Sequence, residues 1–120
     1  YPQVDAQPAG FSHRWLTGVL RGRLGFQGVI FSDDLSMGGA EWAGDHPQRA
    51  RMALEAGCDM VLVCNDRDNA VRVAESLADY ANPVLMTRLM RLHGRHAPGM
   101  GELHASPRWQ QAVARARNWA

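Results

Sequence analysis

There is no lysine in this sequence. All thirteen basic residues are arginine, and twelve acidic residues bring the formal charge to +1. The chain therefore lacks the concentrated basic face of a nucleic-acid binder, and it has no side-chain amine for Schiff-base chemistry. Cysteine is scarce. Cys58 and Cys64 stand six apart on what reads as one strand, projecting to one face and too far apart along it for a local disulfide. Reduced core thiols of a cytosolic protein are expected. No stretch approaches the roughly 18 apolar residues that span a bilayer, and the opening residues lack the charged and apolar regions of a signal peptide. A soluble cytoplasmic protein with neither a membrane nor a nucleic-acid partner is expected. A glycine-rich phosphate loop is also missing, which counts against a phosphate-binding or aldolase-like barrel.

What is present is core material. Hydrophobic residues make up 46% and charged residues 21% of 120, a balance that argues for a globular chain and against disorder. That length suits one ordinary domain or a piece of something larger. The chain opens without Met, in the loop-like run Tyr1–Pro8.

The organising stretch is Gly28-Val29-Ile30-Phe31-Ser32-Asp33-Asp34-Leu35-Ser36-Met37. Its apolar, β-favouring residues Val29 to Phe31 predict a short buried strand that delivers two carboxylates to its C-terminal end. Open α/β sheets and barrels place their chemistry at that end. An Asp pair after a strand can equally be a loop start or a helix cap.

Around it the spacing predicts alternating elements. Phe11, Trp15, Leu16, Val19, Leu20 and Leu24 form the stripe of an amphipathic helix over 11–24, capped by Ser12, with Arg14, Arg21 and Arg23 on a solvated face. Met37 to Asp45 reads as an irregular loop suited to covering a site, with His46 in it as a lone histidine without a partner. Pro47 opens a helix that Gly57 stops. Cys58 to Asn65 is a second near-continuous apolar strand, buried on both faces. Asp68 or Asn69 caps a helix running to about Ala81, and Pro83 restarts the chain into a helical segment ending near Gly94. Residues 95–120 form a C-terminal loop and a last helix that opens at Ser106-Pro107 and carries Trp109, Val113, Ala116 and Trp119. His93, His96 and His104 are too irregularly spaced for a metal site, and no metal is expected.

The order of helix, strand, helix, strand, helices predicts α/β architecture with two parallel strands. Two strands alone make no stable sheet, so the chain reads as part of a larger one.

Pro8-Ala9-Gly10-Phe11-Ser12, the stretch Leu20 to Met37, and Ala56-Gly57-Cys58-Asp59-Met60-Val61-Leu62-Val63-Cys64-Asn65 together resemble the bacterial β-N-acetylhexosaminidases of glycoside hydrolase family 3, closely over residues 1–81 and loosely in the tail. The resemblance implies a (β/α)8 TIM-type barrel of which this would be the C-terminal third, incomplete as given, with its last two strands and their helices. It implies that Asp33 is the catalytic nucleophile, whereas Asp34 matches a position where the family also accepts other residues; because alternate residues at a strand end point to opposite sides, Asp34 is expected to be structural. It implies a retaining mechanism without metal or organic cofactor, and a carbohydrate substrate: terminal β-linked N-acetylglucosamine on 1,6-anhydro-MurNAc muropeptides in cell-wall recycling. The family's general acid/base is a His on an upstream loop in a Lys-His-Phe-Pro-Gly-His-Gly context, which does not occur here, and its sugar-binding residues are upstream as well. None of the five histidines, His46 included, is assigned that role. The intact enzyme would be a monomer. The 120-residue chain by itself would be an inactive fragment or a self-associating module, because unpaired strands invite another chain.

Overall fold

The computed structural model describes residues 1–94 and 97–119. Two strands, β1 (Phe31–Asp34) and β2 (Met60–Leu62), pair in parallel with Phe31 opposite Met60 and Asp34 opposite Leu62. Four residues of β1 thus stand opposite three of β2, an irregularity between Phe31 and Asp34. β1 starts two residues later than Val29, so both carboxylates belong to the strand's last two positions.

Helix α1 (His46–Ala56) connects the strands. Asp45 caps it by accepting the N–H of Gln48, whose side chain accepts the Asp45 N–H in return, a reciprocal pair that satisfies two otherwise orphaned donors. Its end is equally definite. Gly57 adopts φ 122°, a left-handed conformation, and a Cβ there would lie 2.6 Å from Thr17 Oγ1. Helix α2 (Arg67–Ser76) follows β2, capped by Asp66, which accepts the Asn69 N–H, and not by Asp68 or Asn69.

The core lies between the sheet and these helices. Ile30, Leu35, Ala50, Ala53, Cys58 and Val73 are buried together, with Phe11, Leu16, Leu20, Val61, Val63 and Leu77 packed against them. The stripe predicted for 11–24 therefore does face the core, but the backbone differs from an α-helix. A 3-10 turn (Ala9–Phe11) leads into a π-type helix over Arg14–Arg23, in which Leu24 N–H reaches back to Val19 O. Gly18 and Gly22 lower the helix propensity here, and Leu24 ends up 69% exposed.

Several other expectations are corrected. The strands are not buried on both faces: Phe31, Met60 and Leu62 are each more than a third exposed, because no further layer covers them within this chain. Cys64, just beyond β2, is exposed, and only Cys58 is a core thiol. Arg21 leaves the solvated face and buries its guanidinium against Asp59. The run after Met37 is ordered as a 3-10 helix (Gly38–Ala43) anchored by buried Ala40 and Ala43.

Beyond α2 the chain thins out. Asn82 caps α3 (Pro83–Leu89), which runs into a 3-10 turn, Met90–Leu92. The supposed loop at 95–105 contains a short helix, α4 (Met100–Ala105), and Ser106 caps α5 (Pro107–Arg117) as predicted. None of these carries a buried residue, and Trp119 is 94% exposed. The radius of gyration, 18.4 Å, exceeds the roughly 14 Å of a compact domain of this length. His93 and His104 are exposed, His104 lying on the Trp109 ring at 5.1 Å; His96 lies outside the described residues.

Candidate active site

Asp33 stands at the C-terminal end of β1 with its side chain exposed. Its Oδ1 accepts the N–H of Asp34 at 2.8 Å. Among the described residues that is the single hydrogen bond to this carboxylate, leaving it directed at solvent and at a cavity of about 290 Å³ beside the strand end. Pro8, Phe11, Ser32, Asp33, Met37 and Ala40 are among the residues that line it. An acid group on the rim of a mostly apolar cleft is the usual design of a small-molecule site. Trp42 extends the apolar wall, edge-on to Phe11 with ring centroids 5.6 Å apart.

Asp34 is engaged differently. Its Oδ1 accepts the N–H of Ser36 and the N–H of Cys64, both at 3.0 Å. These two backbone donors, Ser36 first, hold its carboxyl below the ordinary 3.8, and desolvation opposes them only in part. Hydrogen bonds to the charged form always act in that direction. Two residues earlier, buried Ser32 accepts the Leu62 N–H at 3.0 Å and donates to the Asp33 carbonyl at 2.6 Å.

The segment after the strand is fixed by a buried cation. Arg49, on α1, donates through Nε to Gly44 O at 2.7 Å and through an Nη to Leu35 O at 2.8 Å. An arginine spent on backbone carbonyls satisfies groups that the curling chain would otherwise bury unpaired. His46, expected to lack a partner, has one: its Nε2 lies 3.3 Å from Ser36 Oγ. Beyond β2, Asn65 takes φ 58°, a left-handed conformation that asparagine tolerates. Ser32 and Arg49 were missed by the sequence reading. Ser32 sits inside a motif that drew attention only to its acids, and Arg49 looks like any other surface arginine of an amphipathic helix.

The opposite end of the sheet opens on a cavity of about 370 Å³ lined by Gln27, Val84, Thr87, Arg88 and Arg91, with no carboxylate in its lining. There Asp59, 3% exposed, binds Arg21 and Arg88 and accepts the Ile30 N–H at 2.8 Å. Conserving chemistry at one end of parallel strands and stability at the other is the division of labour seen in barrels.

With this geometry in view the comparisons are decisive for the family. The family described as "Glycosyl hydrolase family 3 N terminal domain" matches residues 1–94. The chain belongs to this family. Two of its relatives are the β-hexosaminidases of Thioalkalivibrio sulfidiphilus, 60% identical over 114 residues, and Methylobacillus flagellatus, 55% identical over 116; the matches cover 95% and 96% of this chain and 33% of each relative. Native NagZ from Neisseria gonorrhoeae superposes with a TM-score of 0.71 at 41% identity, over 95% of this chain and 33% of that one. The same enzyme in complex with N-trifluoroacetyl-D-glucosamine gives 0.69 at 40%, over 95% and 32%. The chain thus spans about a third of the length of the curated relatives it matches. The family domain is a TIM-barrel-type fold in the NagZ neighbours. One expectation is corrected: the chain was placed in the C-terminal part of the enzyme, whereas what it matches is the family's N-terminal domain.

Proposed function

We propose that the intact protein is a retaining β-N-acetylhexosaminidase in which Asp33 is the nucleophile. The observation that supports this most is the exposed Asp33 carboxylate at the C-terminal end of a parallel strand, on the rim of a mostly apolar cavity, in a chain whose relatives are named β-hexosaminidases. In this reading a carboxylate oxygen of Asp33 attacks the anomeric carbon. The bond to the leaving oxygen breaks, and that oxygen takes a proton from a general acid. Water, giving up its proton to the same group, then cleaves the glycosyl ester and returns Asp33 to its free form.

The acid/base group and the sugar-binding residues belong to parts of the protein outside these 120 residues. β1 and β2 are two neighbouring staves of the barrel, whose exposed Phe31, Met60 and Leu62 pack on the rest of it. The 120 residues by themselves are catalytically incomplete. The substrate is a muropeptide bearing terminal β-linked N-acetylglucosamine, such as GlcNAc-1,6-anhydro-MurNAc, processed in the cytoplasm during cell-wall recycling, without metal or organic cofactor and by a monomeric enzyme. Among the described residues no helix is long and apolar enough to cross a membrane.

The test is Asp33→Asn in the full-length enzyme with an aryl N-acetyl-β-glucosaminide. Removal of the nucleophile lowers kcat by at least about 10⁴-fold in a folded protein. Near-normal turnover of the variant, or covalent capture of another residue by a fluorinated substrate, removes Asp33 from the role.

A further inference from the structure

We propose that Ser32 and Asp34 are positioning residues, a pair of side chains that hold the Asp33 carboxylate in place by bolting the end of β1 to β2. The inference rests on Asp33 being the nucleophile and concerns how it is aimed.

Regular backbone pairing fails where Asp33 sits. Between the Phe31–Met60 and Asp34–Leu62 pairs the register is irregular, so the strand end that carries the reacting group is held by fewer ladder bonds than a regular strand would have. Two side chains take over. Ser32 Oγ accepts the N–H of Leu62, and Asp34 Oδ1 accepts the N–H of Cys64, both at 3.0 Å. The donors are two residues apart on β2 and its continuation, the acceptors two apart on β1, and Asp33 lies between the acceptors. Both bolts also grip the local backbone: Ser32 Oγ donates to Asp33 O, and Asp34 Oδ1 accepts the N–H of Ser36. Leu35 N–H to Leu62 O, at 2.9 Å, closes the clasp.

With Ser32 and Asp34 turned toward β2, Asp33 is left facing the cavity, held through its own carbonyl and through the Asp34 N–H on its Oδ1. Charge on Asp34 is not what the clasp needs. It needs one oxygen that accepts two backbone donors, and an asparagine carbonyl supplies it.

The experiment uses the full-length enzyme and an aryl N-acetyl-β-glucosaminide, with kcat expressed per folded molecule. Asp34→Ala removes the acceptor and lowers kcat about 100-fold, the effect of displacing a reacting group by about 1 Å, while KM stays within about threefold because ground-state binding is untouched. Asp34→Asn restores kcat to within about fivefold of wild type. Ser32→Ala lowers kcat about tenfold in the same pattern. A merely structural role would cost thermal stability in both Asp34 variants without separating their kcat values. Wild-type kcat in folded Asp34→Ala overturns the inference, and so does a folded Asp34→Asn as impaired as the alanine variant. If Asp34→Ala does not fold, the asparagine variant decides by itself: kcat within about fivefold upholds the clasp, and a 100-fold loss defeats it. Activity retained in Asp33→Asn would instead sink the assignment of the nucleophile, whatever the Asp34 variants show.

Discussion

Asp34 Oδ1 lies 3.0 Å from the backbone nitrogen of Cys64, thirty residues further along the chain. This carboxylate reaches across the sheet, whereas its neighbour Asp33 reaches out of it. Two adjacent acids thus have different duties, because successive side chains on a strand point to opposite sides.

The first prediction concerns acid. Asp34 is held below its ordinary value by the Ser36 and Cys64 N–H groups, and Asp66 by the side chain and then the backbone N–H of Asn69. Both stay ionised in the folded chain at pH values where the unfolded chain has taken up a proton. Their contribution is therefore fully present above 3.8, the unfolded value, and is lost as pH falls through the lower folded values. The melting temperature of the intact enzyme should drop as pH falls below 3.8, and Asp34→Asn should flatten that dependence.

Asp59 gives the second. Its buried carboxylate joins Arg21 of the π-type helix, Arg88 of α3 and the Ile30 N–H. Asp59→Ala leaves two guanidinium groups with most of their surface buried and no counter-charge, and should cost about 3–5 kcal/mol in urea unfolding. Because this node lies at the end of the strands away from Asp33, kcat per folded molecule should hardly change. A loss of turnover without a loss of stability would contradict the division between the two ends.

Gly57 gives the third. Gly57→Ala should destabilise the protein by more than about 1 kcal/mol, since alanine resists this backbone conformation and its Cβ would lie 2.6 Å from Thr17 Oγ1. Adding Thr17→Ala relieves the collision and leaves the backbone strain. The double variant should therefore lose less than the sum of the two single losses. Strict additivity would show that the contact with Thr17 carries no energy.

The fourth separates the cysteines. Burial, then the neighbouring Asp59 carboxylate, raises the Cys58 thiol from 9.0 to about 11, so in the folded protein it remains protonated and unreactive at pH 8. Alkylation with iodoacetamide at that pH, followed by peptide mapping, should leave Cys58 unmodified until denaturant is added. The same shift makes folding less favourable as pH rises from 9.0 toward about 11, where an unfolded thiol would already have ionised. Rapid native labelling of Cys58 would contradict its burial.

Much of this was legible in the residues. Pro47 and Gly57 bound α1, Ser106-Pro107 opens α5 and two apolar runs mark parallel strands, because caps, breakers and hydrophobic period act over a few neighbouring residues. The helix around Gly18 was found in place but not in winding, and the helix at Met100–Ala105 was read as loop, since glycine-rich, weakly periodic stretches leave local propensity undecided.

By itself the sequence determined the two strands and the helix between them, where that helix begins and ends, and which strand end carries the acids, all consequences of short-range sterics and of burying a periodic apolar face. Which acid faces the cleft and which is spent on the backbone was settled only by the tertiary structure. So were the burial of Arg21 and Arg49, the exposure of Cys64 and the role of Ser32. Each depends on a donor or acceptor brought near by residues distant along the chain, and no local pattern records where such a partner will lie.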